Sequence, residues 1–225
     1  MDCIDDRQLG RVIRSIALQS RIHQPGNRSD NAHELFALLY YFTTKSWLEF
    51  ARTCPDPVLM GLLVLHFFRL YEGYVLSGTA GRGENIAHHR RHHVRLLDHS
   101  RSRKPLLAGI VLLIGIRTHI RYDLAEAICD VHDSYTGLYR RKPDMRLLRS
   151  MIFGEGSNRV FRRACLEFFR TKAASGDLPA RVLLHLAGAF DWLWMPVFQW
   201  LRRSAWLEAM RSISSGVPIR RQASG

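Results

Sequence analysis

The chain reads as an all-α protein, a single-domain helical bundle of about seven helices with a buried central helix. Three observations predict this: apolar residues recur at spacings of three and four, strand-like alternation is nearly absent, and the glycine and proline breakers fall at intervals that suit helices. A basic helix over about Asp5 to Arg21 comes first. After the Gln24-Pro25-Gly26-Asn27 turn, Asp30 is a candidate cap for a helix running to about Arg52. Cys54-Pro55 stops it; Asp56 then caps and Pro57 takes the first helical position, where its missing N–H costs nothing, for a helix to about Leu76. Ser77 to Asn85 is a Gly-rich loop whose Gly78, Gly81 and Gly83 fit neither phosphate-loop nor dinucleotide fingerprints. A His-rich helix, about Ile86 to His99, and the polar Ser100 to Lys104 linker lead into the central helix, about Pro105 to Tyr135. Its apolar start, Pro105 to Ile116, is expected to be innermost. Beyond Gly137 come a helix over Asp144 to Phe153, a break at Gly154-Glu155-Gly156-Ser157 and a helix to about Lys172. After Ser175-Gly176-Asp177, a long helix from Pro179 to Ser212 is expected to kink at Pro196. Residues 1–213 then form one domain and residues 214–225 a disordered basic tail.

Composition narrows the class. A chain of 225 residues buries roughly 70% of its unfolded surface, so it needs neither disulfides nor a structural metal. Apolar residues at 47% and charged residues at 24% exclude a disordered chain, a collagen-like repeat and a coiled-coil rod. The 33 Lys and Arg against 20 Asp and Glu leave a net charge of +13; four of the cations are Lys and 29 are Arg. Pairs such as Arg90-Arg91, Arg140-Arg141, Arg162-Arg163 and Arg202-Arg203 are spread along the chain without a nucleic-acid-binding motif. They read as solvated helix faces, and nucleic acid is not the expected partner. Cys3, Cys54, Cys129 and Cys165 form no C-x-x-C pair and are expected to be reduced structural thiols. The acidic start, MDCIDDRQLG, lacks a signal-peptide core, so a cytoplasmic location is expected. Pro105 to Ile116 is too short to cross a bilayer, Val58 to Leu76 holds His66, Arg69 and Glu72, and Val182 to Leu201 holds His185, Asp191 and Pro196. All three are read as core helices, which leaves peripheral membrane contact as the open mode.

Chemistry concentrates in RTHIRYDLAEAICDVHD. On a helix, His119, Asp123, Glu126, Asp130 and Asp133 recur at spacings of four, three, four and three, one acidic stripe beside the apolar Ile116, Ile120, Leu124, Ala127 and Val131. Imidazole and carboxylate one turn apart are ordinary ligands for Zn, Fe or Mn, and helical bundles build metal sites this way; a solvated face is the competing reading. His88, His89, His92 and His93 also pair at four-residue spacing, although flanking Arg90 and Arg91 repel a cation. The H-x-x-H-H they spell is similar to one box of the membrane di-iron desaturases, but further boxes and spanning helices are not found. His66, alone on an apolar helix, can reach an interior site as a third ligand or serve as a hydrogen-bonded core residue. Trp192, Trp194, Trp200 and Trp206, interleaved with Phe190 and Phe198, suit packing or an apolar pocket wall. No Ser, Cys or Thr sits in a nucleophile motif.

The helix GIRTHIRYDLA resembles the landmark of an uncharacterised bacterial family of all-helical proteins, in which the pattern reads approximately (A/G)-x-x-A-H-I-N-x-D-L-P. The His-Ile, the Asp-Leu and their spacing match, whereas Thr118, Arg121 and Ala125 stand where the family has Ala, Asn and Pro. Echoes lie in Phe36, Tyr40 and Thr44, in Asp56-Pro57 with Phe67 and Tyr71, and in Arg203 with Ala205-Trp206 and Ala209. The resemblance implies a helical fold and singles out His119 and Asp123 without supplying a reaction. The same spacing is similar to ligand pairs in helical zinc-dependent phospholipases and nucleases.

The expected function is therefore a metal-dependent hydrolase, lyase or cyclase acting on a small, largely apolar or lipid-like substrate. His119, Asp123 and His66 are the expected ligands of the divalent metal (Zn, Fe or Mn), Asp123 and Glu126 the catalytic carboxylates, and Trp192, Trp194 and Tyr71 the substrate walls. Two alternatives stand beside it: a metal-free cyclase or isomerase using Asp123 or Glu126 as acid or base in a dry pocket, and a non-catalytic Arg-rich module binding an anionic partner.

Overall fold

The computed structural model describes residues 32–71, 105–174, 176–177, 181, 194–217 and 219. Among them 89% are helical and none is in a strand, in six helices. These are α1 (Ala32–Thr53), α2 (Pro57–Tyr71), α3, α4 (Met145–Phe153), α5 (Glu155–Ala174) and α6 (Met195–Ser215). Helix α3 is one continuous element: Pro105–Thr118, a π-helical turn at His119–Asp123, then Leu124–Tyr139. The expected helix over Asp5 to Arg21 and the His-rich helix lie outside the described residues, as do Trp192 and His185.

Several boundaries follow from local chemistry. The Asp56 carboxylate accepts the Leu59 N–H at 2.9 Å, so the predicted cap and the Pro57 start are both realised. Asp144 accepts from Arg146 and Leu147 at 2.9 and 3.0 Å and starts α4 in the same way. Other expectations need correction. Helix α3 runs through Gly137 to Tyr139, where Arg140 takes the left-handed conformation at φ 51° that ends it. The break after α4 is Gly154 alone, because α5 begins at Glu155. Among the described residues α6 starts at Met195, so Pro196 sits in its first turn, where no intrahelical N–H is missed; most of the expected helix before it lies outside the described residues. At its other end α6 continues to Ser215, past the expected start of the tail, and Ile219 packs on the core.

The innermost element also differs from expectation. Ile110 and Leu113 are 47% and 46% exposed, whereas Asp123, Ala125, Ala127, Ile128 and Val131 are sealed. The N-terminal half of α3 lies against α1, but its C-terminal half is held between α2 and α6. Apolar composition all round a helix indicates burial only where neighbours cover every face. Around that sandwiched half, Leu59, Met60, Leu148, Ile152, Ala205 and Ala209 close the largest cluster. Each large aliphatic side chain buried there contributes roughly 1.5–3 kcal/mol. Helix α1 carries Phe36, Tyr40, Thr44, Leu48 and Ala51 inward and also packs along α5. No described helix is long and apolar enough to cross a membrane.

Candidate functional site

The site is built on the π turn of α3. There the Leu124 N–H reaches the His119 carbonyl, an i→i+5 bond that widens one turn of an otherwise regular helix. Such turns are rare and concentrate at functional positions. Across it, His119 Nδ1 and Asp123 Oδ2 meet at 2.5 Å, with side chains 4% and 0% exposed. Nδ1 of His119 donates to the Asp123 carboxylate across the turn.

Four rings from two other helices enclose this pair. Phe36 stacks on the His119 ring at 4.9 Å between centroids, Tyr40 lies at 5.3 Å, Tyr71 at 5.7 Å and Phe67 edge-on at 5.8 Å. The box follows from helical spacing: Phe36 and Tyr40 are one turn apart on α1, Phe67 and Tyr71 one turn apart on α2. Tyr40 and Tyr71 stack at 3.7 Å, and the Tyr40 hydroxyl donates to the Phe67 carbonyl at 3.3 Å. Burial, then Tyr71 and the Asp123 carboxylate, hold the Tyr40 hydroxyl well above the ordinary phenol range, against a hydrogen bond with Thr44. The Tyr71 hydroxyl is buried with no hydrogen-bond partner among the described residues, and burial raises it above the phenol range too.

A cavity of about 30 Å³ adjoins the box, sharing Phe67 with it and lined also by Thr43, Thr44, Ile120 and Phe161. Its end wall is Arg202, which is fully buried. The guanidinium donates to the Ile152 carbonyl at 2.7 Å, to the Ser157 hydroxyl and to Asn158 Oδ1 at 2.7 Å, and faces the Phe161 ring at 5.1 Å. It thereby neutralises the carbonyl end of α4 and ties it to the first turn of α5. Loss of hydration lowers its pKa to about 10. The solvated-face reading of the Arg202-Arg203 pair thus holds for exposed Arg203 and fails for Arg202.

The remaining expected site residues are dispersed. Glu126 is buried one turn beyond Asp123, Asp130 is 40% exposed and Asp133 is 81% exposed, so the acidic stripe passes from core to solvent. His66 is not brought to His119: its Nε2 lies 3.0 Å from the Ser134 hydroxyl and its Nδ1 3.8 Å from Asp130. Burial and then Arg69 push its pKa down to about 4, outweighing an Asp130 carboxylate that is half in water and beyond hydrogen-bond reach. Two of the three expected metal ligands therefore stand together, and no group of three or more His, Cys, Asp or Glu among the described residues could hold an ion. Trp194 lies away from Tyr71, packed beside Phe198 and Leu201. Cys54, Cys129 and Cys165 are free, each with its thiol pKa raised by burial.

Compared with family models, with curated proteins and with solved structures, the chain matches none.

Proposed function

We propose that the chain is a metal-independent acid–base enzyme, an isomerase or cyclase acting on a small and largely apolar substrate. The observation that carries this reading is the His119–Asp123 pair, sealed in an aromatic box by a π turn. Asp123 orients the ring and stabilises the imidazolium, so Nε2 of His119 takes a proton from a carbon of the substrate and returns it at another, with no net redox change. The Tyr71 hydroxyl, kept protonated by burial, donates to the oxygen on which charge develops. Phe36, Tyr40 and Phe67 exclude water and accept only apolar bodies. Pockets that enclose ligands of drug size span about 300 Å³ or more. The adjoining cavity of about 30 Å³ meets the box only at Phe67, so a small substrate would reach His119 by displacement of the Phe67 ring.

Among the described residues the metal-dependent reading has no third ligand beside the pair, and no observation favours it over acid–base chemistry. The test is carbon-bound deuterium uptake from D₂O into a panel of small apolar ketones and enones, followed by mass spectrometry. Uptake with wild type that disappears with His119→Gln supports the reading; equal uptake by both proteins refutes it.

A further inference from the structure

A second feature lies on the outside, where α3 and α6 run side by side. A groove of about 220 Å³ is lined by Leu113, Arg117, Trp194, Val197 and Trp200. Its lining is unusually apolar for solvent: Leu113, Val197 and Trp200 are 46%, 45% and 54% exposed, and Ile110, one turn before Leu113 on α3, is 47% exposed. On α3, Ile110, Leu113, Arg117 and Arg121 follow at three, four and four residues and share one face. On α6, Val197 precedes Trp200 by one turn, and the Arg121 guanidinium sits 5.8 Å from the Trp200 ring. Along both helices apolar tips therefore give way to a tryptophan and two arginines.

We propose that this face docks on an anionic membrane surface. Ile110, Leu113 and Val197 enter the acyl boundary, Trp200 takes the headgroup level its amphipathic ring prefers, and Arg117 and Arg121 meet lipid phosphates. Charge decides the occupant. The chain carries +13, and among the described residues the acid that Arg121 faces, Glu208, is also met by Arg211, which leaves Arg117 and the balance of the face cationic. A second copy of the chain would set like charges against each other across the groove, whereas acidic headgroups complement them. Nucleic acid would leave four exposed apolar side chains uncovered.

The experiment is flotation of the full chain with vesicles of phosphatidylcholine alone or mixed with phosphatidylglycerol, at low and high salt. Binding is expected only to the mixed vesicles and is weakened by salt. Arg117→Gln should weaken it roughly fivefold. Val197→Asp and Leu113→Asp, exposed positions where folding is retained, should each weaken it on the order of tenfold or more. No binding, equal binding to phosphatidylcholine alone, or unchanged binding by the three variants would overturn the proposal. So would a wild-type dimer that Val197→Asp dissociates, which would assign the face to a second copy.

Discussion

The rings of Tyr40 and Tyr71 stack at 3.7 Å, yet their hydroxyls have opposite fates: Tyr40 donates to the Phe67 carbonyl, while Tyr71 is buried with no partner among the described residues. A buried donor left unsatisfied is a cost to stability that a substrate oxygen would remove. Tyr71→Phe should leave the urea midpoint unchanged or raise stability by about 1 kcal/mol, while lowering any activity of the site. A loss of more than about 1 kcal/mol would show that the hydroxyl has a structural partner.

Arg202 should behave in the opposite way. Lysine offers one compact charge and cannot serve the Ile152 carbonyl, Ser157 and Asn158 together. Arg202→Lys is expected to cost about 3 kcal/mol in chemical denaturation, because buried acceptors lose their donors. A change within about 0.5 kcal/mol would mean the ties between α4 and α5 contribute little.

His66 gives stability a pH dependence of defined sign. Its folded pKa of about 4 lies below the ordinary 6.5, so between those values the unfolded chain binds the extra proton. Its contribution is complete above about pH 6.5 and falls by roughly 3 kcal/mol as pH drops through about 4. His66→Gln should therefore lose less stability than wild type between about pH 7 and about pH 4.5, measured by urea unfolding at each pH. Parallel losses in the two proteins would place the titration elsewhere.

Gly154 ends α4 where no side chain fits: an added Cβ would lie 2.6 Å from the Ser150 carbonyl oxygen. The obstacle is backbone and cannot rotate away. Gly154→Ala is expected to cost about 1–3 kcal/mol by thermal or urea unfolding, whereas Gly137→Ala, with open space around it, should be neutral or stabilising. Equal effects at the two positions would contradict this.

Much of the fold is legible in the chain because caps and prolines act locally. Asp56-Pro57 and Asp144 mark their helices correctly, and Phe36 with Tyr40 and Phe67 with Tyr71, each pair one turn apart, meet around His119. What spacing does not reveal is the π turn, since an even 3.6-residue count assumes regular bonding, or the exposure of Ile110 and Leu113, which depends on which helices cover them. Arg202 was legible in principle. Phe198, Leu201, Arg202, Ala205, Trp206 and Ala209 trace one stripe at spacings of three and four, so the arginine shares the core face of α6.

In the proposed mechanism Asp123 holds His119 as the tautomer whose base is Nε2, and ring ¹⁵N resonances of His119 test this without any knowledge of the substrate. Wild type should show a protonated Nδ1 and an unprotonated Nε2 near neutral pH, and Asp123→Asn should alter that pattern while the protein stays folded. A protonated Nε2 in wild type, or a His119 ring indifferent to Asp123→Asn, would contradict the account.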